Sequence, residues 1–120
     1  MNHKKLLLSI VTACFNEEGN IEELYRRVKE TISEIKGYDF EFIVIDNHSE
    51  DSTVERLKSL AKNDPSLKII VNTKNFGHIR SPYYGILQAQ GLATIYLASD
   101  LQDPPELIPQ FIKQIGRAHV

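Results

Sequence analysis

The sequence contains little cysteine, no excess of basic residues and no long apolar run. Cys14 is the only cysteine among 120 residues, which excludes an intrachain disulfide and indicates a reducing compartment such as the cytoplasm. The 14 Lys and Arg residues are balanced by 16 Asp and Glu residues, so no basic surface is expected for a nucleic-acid backbone. We therefore expect a cytoplasmic chain that binds no nucleic acid.

Apolar residues never form the run of roughly 20 that a membrane-spanning helix requires. The apolar run at residues 6–11 is too short and too rich in Val and Ile for a signal peptide, and it predicts a buried strand. A length of 120 residues with 42% hydrophobic residues is typical of one globular domain. The first predicted turn has a single glycine, Gly19, and so lacks the glycine-rich fingerprint of dinucleotide-dependent oxidoreductases.

Four short apolar runs predict the strands of a parallel sheet, and each run ends in a polar cluster. The runs are residues 6–13, 40–46, 67–71 and 94–98. The clusters are residues 12–18, 46–51, 72–77 and 99–106. Because the carboxyl ends of parallel strands meet at one edge of a sheet, all four clusters are expected at the edge where open α/β sheets bind ligands.

Apolar residues at helical spacing predict a helix after each strand. The first helix is expected to begin at Asn20, in a capping box with the glutamate three residues later, and to end at Gly37. The other helices are expected to end before residues 64–65, to span residues 81–90, and to open at the Pro-Pro pair 104–105. The order βαβαβαβα predicts an α/β fold with a mostly parallel, Rossmann-like sheet and helices on both faces.

The side chains at these strand ends suit a nucleotide. Phe15 offers a ring that can stack on a base, and Asp46 can accept hydrogen bonds from a base N–H or from ribose hydroxyls. Lys74 supplies a cation for a diphosphate. A plainer alternative is that the first cluster only turns the chain and that Lys74 lies in a solvated loop. Asp51 or Ser52 is expected to cap the second helix.

The acidic turn at residues 100–106 carries two carboxylates and an amide within its first four positions. Mg²⁺ and Mn²⁺ prefer oxygen ligands and bind through one or two protein carboxylates together with phosphate oxygens and water. Asp100 follows the fourth strand directly, with Gln102 or Asp103 as a second oxygen donor. A lone acidic turn is commonly only solvated, but its position in line with three other polar clusters favours a metal site.

These stretches together resemble the inverting family 2 glycosyltransferases, which transfer a sugar from a nucleotide diphosphate on a GT-A fold. The stretches are Cys-Phe-Asn-Glu-Glu at 14–18, Val-Ile-Asp at 44–46, Asn-Phe-Gly at 75–77 and Asp-Leu-Gln-Asp-Pro-Pro-Glu at 100–106. The resemblance covers about residues 6–114. It is strongest to the polyprenyl-phosphate sugar transferases, which include the dolichol-phosphate mannose synthases.

The resemblance implies a nucleotide-diphosphate sugar as donor, a polyprenyl phosphate as acceptor and Mg²⁺ or Mn²⁺ as cofactor. The residues expected around the nucleotide, from the resemblance and the residue pattern together, are Thr12, Phe15, Glu17, Asp46, Asn47 and Lys74. The residues expected around the metal are Asp100, Gln102 and Asp103. The metal would neutralise the charge that builds on the leaving diphosphate.

Three departures from the family pattern bear on these expectations. Ala13 replaces a frequent proline before the first aromatic residue. Asn47 and His48 stand where the family often has aspartate and glycine, so a base N–H would be recognised by the Asn47 carbonyl. Ala98 stands where many relatives carry an acidic residue, so metal binding would depend more on the three residues named above.

The last six residues do not continue the preceding helical pattern, and they match the translation of a common sequencing-adapter sequence. We therefore expect residues 1–114 to be the amino-terminal, nucleotide-sugar-binding part of a longer transferase, and residues 115–120 to be a non-native read-through tail. The catalytic base, the acceptor side and any membrane-associated segment are then expected beyond residue 114. The chain alone is expected to be inactive.

Two other functions share the same motifs. A family 2 transferase with a saccharide acceptor would differ only in the sequence that follows residue 114. A non-catalytic nucleotide-binding module is favoured by Asn47 and Ala98, the two positions that depart from the family pattern near the nucleotide and the metal.

Overall fold

The apolar runs form the strands of one parallel sheet, and the amphipathic segments between them form helices. The computed structural model describes residues 5–74, 89–100 and 104–118. The elements are β1 (Leu6–Cys14), α1 (Ile21–Ser33), β2 (Tyr38–Asp46), α2 (Thr53–Ala61), β3 (Leu67–Val71), β4 (Ala93–Tyr96), a 3-10 turn (Pro105–Leu107) and α3 (Ile108–Ala118). The predicted α/β class is confirmed.

All four strands are parallel and lie in the order β3-β2-β1-β4. β1 pairs with β2 from Leu6 opposite Tyr38 to Cys14 opposite Asp46. β4, a strand of 4 residues, pairs with β1 on its other side. The chain therefore moves outward from β1 through β2 to β3 and then returns across the sheet to β4. The strand order reverses between β1 and β4.

The larger core lies between the sheet and the three described helices, which pack on the same face. Alternate strand residues point to this face because successive side chains of a strand lie on opposite sides. Each fully buried Leu, Ile or Phe side chain contributes roughly 1.5–3 kcal/mol. The buried members of this core include Leu8, Ile10, Leu24, Val28, Phe42, Leu57 and Ile108. The helical spacing of the apolar residues at 21, 24, 25, 28, 32 and 35 predicts the inner face of the first helix, and all six face this core, with Ile21, Leu24, Val28 and Ile32 buried.

The opposite face of the sheet carries a smaller apolar cluster. Its buried members are Val11, Ile43 and Ile45. Residues 75–88, which include most of the helix predicted over residues 81–90, lie outside the described part of the chain. Gln90 and Gly91 are described and are not helical, so the predicted helix does not extend to its expected end.

The predicted capping of α1 is wrong. Asn20 occupies the N-cap position, but its side chain makes no cap hydrogen bond, and its Nδ2 donates instead to Glu17 Oε2 at 3.1 Å. The first turn is closed by the N–H groups of Asn20 and Ile21, which both donate to the Glu17 carbonyl. α1 ends at Ser33 rather than at Gly37, whose φ of +94° shapes the turn into β2.

α2 ends at Ala61, before residues 64–65 as predicted, and Asp64 then forms a turn in which its side chain accepts the Ser66 N–H at 3.0 Å. α3 continues to Ala118, beyond the predicted limit at Gln114, because a single glycine weakens a helix by only about 1 kcal/mol. None of the described helices is long and apolar enough to cross a membrane.

Asp64 connects the start of β3 to α1. Its carboxylate accepts the Tyr25 hydroxyl at 2.6 Å and lies 3.1 Å from the Lys29 ammonium. Burial alone would raise the pKa of Asp64, but hydrogen bonds from Ser66, Tyr25 and Lys29 lower that pKa from 3.8 to about 2. Because the folded-state pKa lies below the unfolded one, this stabilisation is complete above about pH 4 and is lost as the pH falls through about 2.

We predict that Asp64→Asn lowers the free energy of unfolding by about 1–2 kcal/mol at pH 7 and flattens its fall between about pH 4 and pH 2. Urea denaturation across this pH range is the measurement. The matched variant Tyr25→Phe removes one hydrogen bond and keeps the carboxylate, so it should retain most of the acid-dependent fall. An unchanged pH profile in Asp64→Asn would contradict the prediction.

Candidate functional site

The carboxyl ends of β1 and β4 lie side by side where the strand order reverses. Thr12 Oγ1 donates to the Leu97 carbonyl at 2.6 Å, and the Leu97 N–H donates to the Val11 carbonyl at 2.9 Å. Thr12 is fully buried, so its hydroxyl serves this contact between strands. In open α/β sheets, ligands bind in the crevice outside such a reversal.

The loops that follow β1 and β2 are hydrogen-bonded to each other at this edge. The Asn16 N–H donates to Ser49 Oγ at 2.9 Å, and the Glu50 N–H donates to Asn16 Oδ1 at 2.8 Å. The Glu17 N–H donates to Thr53 Oγ1 at 2.9 Å. Asn16 has a φ of +52°, a left-handed conformation that asparagine tolerates better than most residues. The two loops therefore form one preorganised surface.

Asp51 closes the second loop onto α2. Its Oδ1 accepts the Thr53 N–H at 2.9 Å and the Thr53 hydroxyl at 2.5 Å, while its Oδ2 accepts the Glu18 N–H at 3.3 Å. Burial would raise the pKa of Asp51, but these hydrogen bonds hold that pKa below its ordinary value. Asp51 therefore caps the helix, as predicted, whereas the side chain of Ser52 makes no cap bond.

Asp46, predicted to contact the base or ribose, is fully buried at the end of β2. Its Oδ2 accepts the Ser49 N–H at 2.8 Å, and its Oδ1 accepts the Ser49 hydroxyl at 2.5 Å and lies 3.6 Å from Cys14 Sγ. Burial and the nearby Asp46 raise the pKa of Cys14, so the thiol stays protonated and donates. The Asp46 carboxylate shapes the loop, and its contact with a ligand stays a prediction.

Asn47 and His48 occupy the positions where the sequence departs from the family pattern. Asn47 is 7% exposed; its Oδ1 accepts from Asn72 Nδ2 at 3.3 Å, and its N–H donates to the Cys14 carbonyl at 2.8 Å. The Asn47 side-chain carbonyl, expected to accept from a base N–H, therefore accepts a hydrogen bond from Asn72, the residue after β3. His48 is exposed and has a φ of +70°, a conformation that favours glycine.

Phe15 and Glu17 follow β1, and Asp100 follows β4, at the edge where the strand order reverses. Phe15 is 43% exposed, as a ring that stacks on a base must be. Glu17 Oε1 lies 3.5 Å from Ser99 Oγ, so the loop after β1 contacts the residue that precedes Asp100. Asp100 is exposed. The fold therefore brings Glu17 to the residue next to Asp100, although the two are far apart in sequence.

The carboxylate side chain after β4 is an oxygen ligand of the kind that a hard cation prefers. Carboxylate oxygens are ligands that Mg²⁺ and Mn²⁺ prefer, and Asp100 is an exposed carboxylate after β4. Gln102, Asp103 and residues 75–77 lie outside the described residues. Within the described residues, no three His, Cys, Asp or Glu side chains form a group that could hold a metal. Lys74, after β3, is exposed.

The far end of the acidic turn is bonded to α1. Arg27 Nε donates to Glu106 Oε2 at 3.0 Å, and Arg27 Nη2 pairs with the other carboxylate oxygen. Such a forked pair fixes orientation as well as charge, so Glu106 anchors the 3-10 turn to α1. The residue before the acidic turn and the residue at its end are thus bonded to neighbouring elements, Ser99 to Glu17 and Glu106 to Arg27.

Comparison with known proteins assigns the chain to a family. A family model described as Glycosyl transferase family 2 matches residues 9–120. The chain belongs to this family. The resemblance drawn from the motifs at the strand ends is thereby confirmed.

Curated relatives of this family 2 chain include enzymes named for lipid-linked sugars. The chain is 40% identical over 106 residues to the uncharacterized glycosyltransferase YkcC of Bacillus subtilis (strain 168), covering 88% of this chain and 32% of the relative. It is 37% identical over 107 residues to the bactoprenol glucosyl transferase of Shigella phage SfV, covering 89% and 34%. It is 32% identical over 114 residues to the undecaprenyl-phosphate 4-deoxy-4-formamido-L-arabinose transferase of Pseudomonas aeruginosa (strain LESB58), covering 94% and 33%. The chain spans about a third of the length of these relatives.

Solved structures share the fold of this family 2 chain. The mannosyltransferase PcManGT from Pyrobaculum calidifontis, in complex with GDP-Man and Mn²⁺, matches with a TM-score of 0.70 at 20% identity, covering 81% of this chain and 28% of that one. S. aureus TarS 1-349, in complex with UDP-GlcNAc, matches with a TM-score of 0.73 at 22% identity, covering 95% and 32%. These likenesses confirm the α/β fold of the GT-A glycosyltransferases.

Ser49, Thr53 and Ser99 are site residues that the sequence analysis did not identify. Ser49 follows Asp46 by three positions, and Thr53 follows Asp51 by two, spacings at which side chains bond to nearby loop backbone. That local signal was available for both residues. Ser99 meets Glu17 across 82 positions, and no local pattern predicts such a contact.

We predict that Ser49→Ala lowers the free energy of unfolding by about 1–3 kcal/mol, because the buried Asp46 carboxylate loses one partner and the Asn16 N–H loses its acceptor. Urea denaturation measures the change. The control Ser59→Ala alters an exposed serine of α2 and should leave stability within about 0.5 kcal/mol. Equal stability of the two variants would contradict the importance of the loop-to-loop bonds.

Proposed function

We propose that this chain is the donor-binding part of a transferase that moves a sugar from a nucleoside diphosphate to a polyprenyl phosphate. The observation that carries the proposal is the place of Asp100, exposed after β4 at the reversal of strand order. The names of two relatives, which specify bactoprenol and undecaprenyl phosphate, support a polyprenyl-phosphate acceptor.

The nucleotide would lie along the edge formed by the loops after β1, β2 and β3. Phe15 would stack on the base, since its ring is exposed at the end of β1. Asp46 and Asn47 would form the floor beneath it, because both are buried and bonded to neighbouring loops. Lys74, exposed after β3, would contribute positive charge near the diphosphate.

Asp100, together with Gln102 and Asp103, would hold Mg²⁺ or Mn²⁺. The bound cation supplies charge neutralisation on the leaving diphosphate. Glu17 would border the nucleoside, and its contact with the residue before Asp100 would set the width of the crevice. Thr12 would keep β4 against β1 through its bond to the Leu97 carbonyl. The metal residue Asp100 after β4 and the base-stacking Phe15 after β1 would then keep a constant separation.

An inverting transfer requires the acceptor to attack the sugar from the face opposite the diphosphate, and a base there would deprotonate an acceptor hydroxyl. We place that base, and the segments that associate with a membrane, beyond residue 114, with residues 115–120 as a non-native tail. A phosphate acceptor is already ionised and depends less on a base. The full-length protein would work at the cytoplasmic face of the membrane, and the 120-residue chain alone would not turn over.

We predict that the full-length protein transfers sugar to undecaprenyl phosphate in the presence of Mn²⁺, and that Asp100→Asn lowers turnover by roughly 100-fold or more. The natural reading frame would be amplified from source DNA without ligated adapters. Labelled UDP-glucose, UDP-GlcNAc and GDP-mannose would be supplied in turn, and label would be counted in the lipid extract. The control Asp39→Asn changes an exposed carboxylate of β2 and should retain full activity.

Two outcomes would overturn this function. Label found on a saccharide acceptor and never in the lipid extract would identify a transferase with a different acceptor. Nucleotide binding that is insensitive to Asp100→Asn, together with no transfer to any acceptor, would identify a non-catalytic nucleotide-binding module.

A further inference from the structure

Glu41 is a buried carboxylate at the middle of the sheet, away from the edge that would bind the donor. It is 3% exposed and lies on β2, directly opposite Ser9 of β1. Acidic side chains are almost never buried to this degree unless they are paired. The contacts of Glu41 therefore require a structural reason.

The Glu41 carboxylate accepts three hydrogen bonds from three different parts of the chain. Oε1 accepts from the Lys68 ammonium of β3 at 2.6 Å. Oε2 accepts from the Ser9 hydroxyl at 2.5 Å and from the Gln90 N–H at 2.7 Å. Burial would raise the pKa of Glu41, but these bonds hold that pKa below its ordinary value, so the carboxylate is ionised at neutral pH.

The segment that enters β4 is held closely against β1. The Gly91 N–H donates to Ser9 Oγ at 2.8 Å, and the Leu92 N–H donates to the Leu7 carbonyl at 2.6 Å. A Cβ atom at Gly91 would lie 2.5 Å from Ser9 Oγ and 2.9 Å from the Leu7 carbonyl oxygen. Only glycine fits this approach, so the glycine and the Ser9–Glu41 pair together define where β4 begins.

β4 is the strand that most depends on such an anchor. β1 and β2 are strands of 9 residues paired along their whole length, whereas β4 has only 4 residues and pairs with β1 alone among the described strands. A slip of one residue in a short strand turns every side chain to the other face. Both backbone N–H groups bound by the Ser9–Glu41 pair belong to the approach to β4.

We propose that Glu41 is a positioning residue of the donor site, which together with Ser9 sets the register of β4 on β1 and thereby places Asp100 beside the carboxyl end of β1. The proposal rests on the proposed function in so far as Asp100 is the metal residue. Stability alone is a weak reason for the carboxylate, because well-packed apolar residues often replace buried ion pairs without loss. A register role explains why its backbone partners lie at the start of β4.

The test compares Glu41→Gln with Tyr25→Phe, a variant that also loses a side-chain hydrogen bond but lies on α1, away from β4. The substitution keeps the shape of the side chain at position 41, but its NH₂ group replaces an oxygen that accepted a hydrogen bond, so that two donors face each other. We expect Glu41→Gln to speed hydrogen exchange of the Gly91, Leu92 and Leu97 amides about tenfold or more beyond the change at β2 amides. Tyr25→Phe should leave those three amides unchanged relative to β2.

The double variant Glu41→Gln with Lys68→Gln is the rescue. In the double variant, the amide oxygen introduced at position 68 can accept a hydrogen bond from the NH₂ group introduced at position 41. The amide oxygen at position 41 is then left to accept from Ser9 and Gln90. The double variant should restore slow exchange at Gly91. The milder Ser9→Ala, which removes the acceptor of the Gly91 N–H, is the second variant if Glu41→Gln does not fold. Uniform acceleration across the whole sheet, or no rescue, would overturn the register role.

The functional consequence is measured in the full-length protein as the affinity for UDP with Mn²⁺ and for GDP with Mn²⁺. For whichever of the two nucleotides binds, we expect Glu41→Gln to weaken the affinity about tenfold and the double variant to recover it. Altered exchange at β4 with unchanged affinity would overturn the positioning role. If Asp100→Asn leaves nucleotide binding unchanged while Glu41→Gln alters hydrogen exchange at β4 as expected, the result would count against the proposed function and not against the register role.

Discussion

The pairing of β4 with β1, on the side opposite β2, is the constraint on which the rest of the structure depends. It reverses the strand order, the arrangement at which open α/β sheets bind ligands, and it brings Ser99, which precedes the exposed Asp100, to Glu17 in the loop after β1. This short pairing is reinforced by side chains at both ends, through Ser9 at the start and Thr12 at the finish. Without this pairing, the proposed nucleotide-binding loops and the proposed metal residue Asp100 would have no fixed position relative to each other.

Buried polar groups at this edge are consistently satisfied, which explains why the loops are well defined without regular structure. Among the described residues, no buried side-chain nitrogen or oxygen lacks a hydrogen-bond partner. Asp46 and Asp51 at this edge, and Glu41 at the middle of the sheet, each accept several hydrogen bonds. Each of the three acids has at least one donor from another segment, namely Cys14, Glu18 and Lys68 in turn. Since removing one partner of a buried carboxylate costs about 1–3 kcal/mol or more, these acids bind the loops and strands into one unit.

Much of the fold follows from residue patterns. The β-branched runs predict the four strands, the apolar spacing predicts the inner face of α1, and the alternation of elements places the polar clusters at one edge. The details that failed have two different causes. Asn20 has the sequence of a cap, yet its side-chain amide bonds to Glu17, a local partner three residues earlier. Glu41 lies inside an apolar run, and its donors Lys68, Ser9 and Gln90 are 27, 32 and 49 positions away in the sequence. Tertiary hydrogen bonds of this kind leave no periodic signal in the sequence.

The most direct test of a donor site at the β1–β4 reversal is paramagnetic broadening of amide signals by Mn²⁺ added with UDP, and separately with GDP, to the isotope-labelled chain. If the site lies there, the amides of Asn16, Glu17, Ser99 and Asp100 broaden first, while amides near Tyr38 and Leu67, at the other ends of β2 and β3, remain sharp. Broadening centred elsewhere on the sheet, with these four amides unaffected, would contradict the placement of the site.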